Sequence, residues 1–231
     1  MSHPHSRSPD NSSGRRAFLG KLAAGAAAGA AGLTLTSALE HPGELFAATP
    51  SIGPDGEHWL DGLKGKHKQV VDAYQPNDGF PLGFAFTFMA AQAPADLPVG
   101  AVIVLRHFAM PISLNSSLWE RYKIGEAIKV MDPLTKQPAT RNPFYKAPAG
   151  SLELEDMAVD KLMAKGVIIG ACNMALQFLS SMLAGNAGVS KEAAAKEWAD
   201  GLLPGITLLP SGTWGVNRAQ EKGCTYCTGG G

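Results

Sequence analysis

Short apolar segments alternate with amphipathic segments along most of this chain. GAVIVLRH at 100–107 is a continuous apolar run, which is typical of a strand buried on both faces. VIIGAC at 167–172 and GITLLPS at 205–211 predict two more strands, and KQVVDA at 68–73 and CTYC at 224–227 predict shorter ones. Strands that alternate with helices favour a mostly parallel sheet between helical layers, so the sequence predicts a three-layer α/β/α sandwich with five strands.

Helical patterns fill the intervals between these runs. They predict helices at 81–92, 115–128, 152–166, 174–185, 190–200 and 213–223. The stretch 132–150 has no periodic pattern and is long for a plain connection. Loops of this length in compact domains are usually functional or mobile.

Composition bounds the class of protein. The chain has 231 residues, of which 45% are hydrophobic and 17% charged, as in one globular domain with a sizeable core. The formal net charge is zero, and neither a basic run nor a stripe of basic and aromatic residues is present. The sequence therefore argues against a nucleic-acid partner.

The N-terminal segment SGRRAFLGKLAAGAAAGAAGLTLTSAL resembles a twin-arginine (Tat) export signal. The paired Arg15 and Arg16 are followed by Phe18 and Leu19 and then by a weakly apolar stretch rich in alanine and glycine. Such a signal directs the export of a protein that has already folded. The resemblance therefore implies a periplasmic location.

This resemblance divides the chain into two parts. Residues 1–48 are predicted to be the signal peptide and linker, and residues 49–231 a single exported domain that is free of the membrane after cleavage. The alternative is that 22–39 is retained as a membrane anchor, but alanine and glycine partition weakly into hydrocarbon. The periplasm is an oxidising compartment, in which neighbouring thiols tend to form disulfides.

Polar residues follow the predicted strands at their carboxyl ends. In open parallel sheets, ligands bind beyond this edge. The residues in these positions are Asp72, Arg106, His107, Cys172, Asn173, Ser211 and Gly212. The sequence therefore predicts a site at the carboxyl edge of the sheet, with Asn173, Ser211 and Gly212 as ligand-binding candidates.

Cys172 is the candidate nucleophile because it comes directly before a helix. The free N–H groups at a helix N-terminus favour an anion, here the thiolate, and a neighbouring Arg106 or His107 would act in the same direction. The alternative is a buried, inert cysteine. His107 can equally be a structural hydrogen-bonding residue, and Ser211 can be a plain helix cap rather than an anion ligand.

The motif CTYC contains the other two cysteines, Cys224 and Cys227, which could be a redox pair, half of a metal site, or incidental. In a strand, residues three apart face opposite ways and cannot be bridged. If the last strand is parallel to the others, Cys227 lies nearer to Cys172 than Cys224 does. We therefore hypothesise a Cys172–Cys227 redox pair, with a local Cys224–Cys227 loop as the alternative.

The segments CNMAL and LLPGITLLPSGTWGVNRAQEKGCTY resemble the C-terminal half of the DsrE/DsrF-like sulfur-relay superfamily, and RHFAMPISLNSSLWERYKIGE resembles its exported branch. The resemblance covers about 68–226. It implies a five-stranded parallel α/β/α sandwich, assembly as a homo-oligomer, and a persulfide carried on Cys172. It also implies a sulfur or electron donor protein as the partner.

Two functions stay open at the level of the sequence. The first is a periplasmic sulfur-handling or thiol-redox protein that uses Cys172 with Arg106 and His107. The second is a non-catalytic periplasmic subunit that binds a metal or small anion at the carboxyl edge. The sequence names neither a substrate nor a cofactor, and it leaves open which metal would bind and whether the chain is an enzyme.

Overall fold

Five strands form one all-parallel sheet in the order β4-β3-β2-β1-β5. The computed structural model describes residues 58–93 and 98–230. The strands are β1 (His67–Ala73), β2 (Val99–Leu105), β3 (Ile168–Cys172), β4 (Thr207–Leu209) and β5 (Thr225–Thr228). The prediction of a five-stranded parallel α/β fold is confirmed.

Helices lie between the strands in sequence. The α-helices are α1 (Phe80–Gln92), α2 (Ser116–Arg121), α3 (Ile124–Ala127), α4 (Val159–Ala164), α5 (Asn173–Ala187), α6 (Lys191–Asp200) and α7 (Gly212–Glu221). Short 3-10 helices occur at His58–Leu60, Asn77–Gly79, His107–Ser113 and Glu155–Met157. Among the helices in 58–93 and 98–230, none is both long and apolar enough to cross a membrane. The predicted export signal at 1–48 lies outside the described residues.

The sheet separates two hydrophobic cores. On one face, Ile103 and Leu105 of β2 join a large core with the buried residues of α1, α5 and α6. On the other face, Val102 and Val104 pack in a smaller core with α7. The side chains of these four β2 residues are fully buried, because successive residues of a strand point to opposite faces and both faces are covered. This explains the continuous apolar run in the sequence.

Two predicted helices are shorter than the sequence pattern indicated. The helix predicted at 115–128 is broken at Lys123, which has a positive φ of 51°. The carbonyl of Tyr122 accepts a hydrogen bond from the Asn186 side chain at 2.9 Å, so a tertiary partner takes the acceptor that a continued helix would use. The helix predicted at 152–166 begins only at Val159, because Leu154 and Ala158 have extended backbone conformations.

A close backbone approach beside α3 generates a stability prediction. A Cβ added at Gly125 would lie 2.5 Å from the Ala139 nitrogen and 2.9 Å from its carbonyl carbon, and these backbone atoms cannot turn aside. We expect Gly125→Ala to lower the free energy of unfolding by about 1–3 kcal/mol. Denaturant unfolding followed by circular dichroism measures the change.

The matched control for this substitution is Gly185→Ala in α5. An added Cβ there meets nothing within 4 Å. Alanine is favoured over glycine inside a helix, so this variant should be more stable than the wild type by up to about 1 kcal/mol. If Gly125→Ala is as stable as Gly185→Ala, the close approach of the Ala139 backbone does not require glycine at position 125.

Candidate functional site

Strand register brings the predicted site residues to one edge of the sheet. Leu105 at the end of β2 is level with Ala73 of β1 and with Ala171 of β3. Cys172 is in turn level with Leu209, the last residue of β4. Because all strands are parallel, the residues that follow them share the carboxyl edge. They are Arg106, His107, Cys172, Asn173, Ser211 and Gly212.

An ion pair between Arg106 and Asp72 occupies the centre of this edge. The Nε and Nη2 atoms of Arg106 donate to the two carboxylate oxygens of Asp72 at 2.5 Å and 2.9 Å. The exposed fraction of the side chain is 18% for Arg106 and 7% for Asp72. The Tyr226 hydroxyl donates to Asp72 Oδ2 at 3.0 Å, and the guanidinium carbon lies 5.3 Å from the centre of the Tyr74 ring.

The electrostatics of this cluster follow from its hydrogen bonds. The pKa of Arg106 is raised mainly by its hydrogen bond to Asp72, against the opposing effect of burial. The charge of Asp72 raises it further, and smaller coulombic contributions come from Tyr226 and Cys172 when these groups are ionised. Burial, followed by the hydrogen bond to Asp72, raises the pKa of Tyr226. Tyr226 therefore stays a neutral donor while Arg106 and Asp72 form a charged, bidentate pair.

Cys172 is the N-cap residue of α5. Its Sγ accepts a hydrogen bond from the Ala175 backbone N–H at 3.3 Å, and the residue is only 5% exposed. Its charge contributes to the raised pKa of Arg106, which places the thiol within electrostatic range of the guanidinium. The sulfur therefore lies beside two electropositive groups, the first turn of α5 and Arg106.

Asn173 begins α5 and is 1% exposed. Its Oδ1 accepts a hydrogen bond from Gln177 Nε2 at 3.3 Å. Its Nδ2 has no partner among the described residues. The amide thus has unused donors next to the thiol, which is compatible with the predicted ligand-binding role.

Ser211 and Gly212 have structural roles at the start of α7. The Ser211 hydroxyl accepts from the Trp214 N–H at 3.2 Å, so this residue is the helix cap that the sequence indicated as an alternative. A Cβ added at Gly212 would lie 2.8 Å from Arg106 Cδ and would also overlap its Cβ. Gly212 therefore leaves room for the Arg106 side chain.

His107 follows Arg106 at the same edge with a positive φ of 47°. Its side chain is exposed, and it has no hydrogen-bond partner within 58–93 and 98–230. The structure thus gives His107 the predicted position at the edge. It does not give it the fixed orientation that Arg106 has.

The terminal cysteines do not form the redox pairs that the sequence suggested. Cys224 packs in the smaller core and Cys227 against the larger one, on opposite faces of the sheet. Strands β2 and β1 lie between β3 and β5, so Cys172 and Cys227 are at least about 14 Å apart, which is three strand spacings. Disulfides need Cα atoms within about 7 Å. The hypothesis of an intramolecular Cys172–Cys227 pair is therefore wrong.

The local alternative also lacks the geometry it needs. Residues 225–228 are extended rather than a turn, which puts Cys224 and Cys227 about 10 Å apart. All three thiols are free within the described residues. Burial raises the pKa of Cys224 to about 11, and it also raises the pKa of Cys227. Burial outweighs the charge of Lys68 at Cys224, and burial is the cause of the shift at Cys227, so neither thiol has the lowered pKa of a reactive cysteine.

Sequence reasoning placed Asp72 at a strand end but missed its partners. Tyr226 lies between the two cysteines of the CTYC motif, and nothing in its local sequence indicates a buried partner. The signal that could have found the cluster is the acidic Asp72 within an apolar strand, because a buried carboxylate needs a cation or donors. The residues that supply them come from β2 and β5, which only the strand order brings to either side of β1.

The cluster limits the chemistry that the edge can perform. Arg106 already has a carboxylate partner, which leaves little positive charge for a free anion. Within the described ranges, no three His, Cys, Asp or Glu side chains lie together as metal ligands would. The group at the edge that has nucleophilic chemistry and electropositive surroundings is the Cys172 thiol.

Comparison with known proteins assigns no family to the chain. No protein-family model matches it, and no curated protein matches it. The resemblance to the DsrE/DsrF-like superfamily therefore stays a prediction from the quoted segments. A function for the chain therefore has to be inferred from the geometry of the carboxyl edge.

Proposed function

We propose that this protein handles sulfur in the periplasm and that Cys172 carries a sulfur atom as a persulfide. The observation that supports this function best is the position of the Cys172 sulfur at the N-terminus of the 15-residue helix α5, within range of Arg106. A helix N-terminus stabilises an anion without needing a metal or cofactor. Both a thiolate and a persulfide anion gain from this arrangement.

The sulfur transfer is a balanced exchange of one S–S bond for another. The donor is a persulfide, either a small molecule or a protein cysteine. The Cys172 thiolate attacks the outer sulfur of the donor, a new S–S bond forms on Cys172, and the S–S bond of the donor breaks. The donor leaves as a thiolate and takes up the proton that Cys172 lost, so no external oxidant or reductant is needed.

Burial suits a carrier better than a general redox thiol. Because Cys172 is only 5% exposed, a persulfide on it would react more slowly with free thiols in solution than one on an exposed cysteine. Cys224 and Cys227 lie too far away to resolve it as a disulfide. The persulfide would therefore have a longer lifetime before transfer to a partner at the carboxyl edge.

The alternative of a binding subunit for an anion or metal has weaker support. An anion would have to compete with Asp72 for Arg106, and two hydrogen bonds and the short separation favour Asp72. The N–H groups of Ala175 in α5 and Trp214 in α7 already donate to Cys172 and Ser211. Arg106 and one backbone N–H at the start of each helix thus already have partners within the chain, which leaves the Asn173 amide, among the described residues, as the free donor next to the thiol.

The first test is sulfur loading of the purified full chain. We expect glutathione persulfide to add one sulfur atom to Cys172, as read by mass spectrometry of the intact protein and of the peptide that contains Cys172. Cys172→Ser should abolish the addition because the nucleophile is lost. Cys227→Ser, which removes a thiol on β5, is the matched control and should load like the wild type.

The outcome that contradicts this proposal is specific. Sulfur found on Cys224 or Cys227, or equal loading of the Cys172→Ser variant, assigns the reaction to another thiol. Absence of loading on any cysteine while the protein remains folded removes the carrier function altogether.

The Arg106–Asp72 pair generates a second prediction, on thiol reactivity. Asp72→Asn leaves the Arg106 charge uncompensated, so the thiolate of Cys172 should be favoured and its labelling by iodoacetamide at neutral pH should be several-fold faster. Asp72→Asn combined with Arg106→Gln removes both charges and should label close to the wild-type rate. Both labelling rates are measured by quenching the reaction at successive times and mapping the labelled peptides.

A matched control for this test is Arg218→Gln. Arg218 pairs with Glu221 on the surface of α7, away from the thiol, so its loss should leave the labelling rate unchanged. If Asp72→Asn labels no faster than the wild type, Arg106 does not influence the thiol.

Export is tested separately from the chemistry. We expect the double substitution Arg15→Lys and Arg16→Lys to hold the protein in the cytoplasm in a folded form, because the paired arginines are the recognition element of a Tat signal. Cell fractionation with an immunoblot measures the location. The control is the double substitution Ser12→Ala with Ser13→Ala, which keeps both arginines. Export of the lysine variant would rule out the Tat route.

A further inference from the structure

A cavity of about 720 Å³ lies between α1 and the loop that connects α3 to α4. This volume falls in the range of roughly 300–1,000 Å³ that is typical of small-molecule sites. Its walls are mainly apolar and aromatic, and they include Phe80, Phe84, Met131, Phe144, Leu154 and Met157. None of the residues of the Cys172 site lines it.

The loop wall of the cavity is fixed by buried hydrogen bonds. Asp132 Oδ1 accepts from the backbone N–H groups of Leu134 and Thr135 at 2.9 Å and 3.1 Å, and its other oxygen pairs with Arg141 at 2.9 Å. Asn142 Nδ2 donates to two carbonyl oxygens before α2, at 2.8 Å and 2.7 Å. The wall is therefore preformed, which reduces the entropy that a ligand must offset on binding.

Large apolar side chains around the cavity are exposed in the free protein. Phe80 is 55% exposed, Met131 47% and Leu154 41%. Three such side chains around one concave surface give an apolar patch of the kind that marks a binding site. A molecule with an apolar ring system would remove their surface from water.

Ser151 supplies an independent observation that points to a ligand. It lines the cavity, it is 4% exposed, and its hydroxyl has no hydrogen-bond partner among the described residues. A buried hydroxyl without a partner is unfavourable and uncommon in proteins. A polar group on a bound molecule would satisfy it.

The charges at the cavity indicate which polar group fits. The carboxylate of Asp132 is neutralised by Arg141, which leaves Asp78 and Glu153 opposite a single cation, Lys136. In the part of the chain that the structure describes, these three side chains have no ion-pair partners. The balance is one negative charge, which favours a cationic over an anionic ligand.

We propose that this cavity binds an amphipathic amine, a small molecule with an aromatic or other ring body and one protonated amino group. The ring body fills the space between Phe80, Met131 and Leu154. The amino group donates a hydrogen bond to the Ser151 hydroxyl and interacts with the carboxylates of Asp78 and Glu153. This binding is independent of the sulfur chemistry at Cys172.

The test uses the fluorescent apolar probe N-phenyl-1-naphthylamine with the full chain at low ionic strength. We expect the probe to bind with increased fluorescence. It should be displaced by 1-naphthylmethylamine at concentrations several-fold lower than by 1-naphthaleneacetate, which has the same ring and the opposite charge. Thr87→Phe, which fills the cavity from α1, should weaken probe binding at least about tenfold.

Two further variants separate the ligand role from folding. Ala90→Phe adds the same side chain to an exposed position of α1 outside the cavity and should bind the probe like the wild type. Ser151→Ala should keep or raise the melting temperature, because it removes an unpartnered hydroxyl, and should reduce the preference for the amine.

Three results would overturn the proposal. The first is equal probe binding by the wild type and Thr87→Phe, which places the probe elsewhere. The second is displacement by the acetate at the same or lower concentration than by the amine. The third is a Ser151→Ala variant that melts at a lower temperature while keeping the full preference for the amine, because the hydroxyl would then serve the fold alone.

Discussion

The bidentate ion pair of Arg106 and Asp72 is the interaction on which the organisation of the carboxyl edge depends. It joins the ends of β1 and β2, and Tyr226 extends it to β5 through the second oxygen of Asp72. Removing one partner of a buried pair typically costs about 3–5 kcal/mol, because the other charge is left uncompensated. Gly212 allows the start of α7 to lie close to the same pair, since any side chain there would overlap Arg106.

This pair also sets the electrostatic environment of the thiol. Arg106 brings a positive charge near Cys172, while Asp72 reduces the net field and occupies two of the Arg106 donors. The remaining stabilisation comes from the first turn of α5, whose Ala175 N–H donates to the sulfur. The edge is thus suited to holding an anion that is covalently attached to the protein rather than one that arrives from solution.

The long connection between α3 and α4 shows how an irregular segment can be ordered. It has no periodic pattern, yet Asp132 and Asn142 satisfy backbone groups that would otherwise be unpaired. Its side chains can therefore leave a concave apolar surface against α1 without collapsing onto it.

The sequence by itself determined the five strands, most of the helices, and the residues directly before α5 and α7, Cys172 and Ser211. These features depend on periodicity and on contacts within a few residues. Only the tertiary structure decided that β5 lies beside β1, which brings Tyr226 to Asp72 and separates Cys227 from Cys172. Strand order, like the break at Lys123 and the cavity wall, depends on partners far apart in the chain, and local patterns carry no information about them.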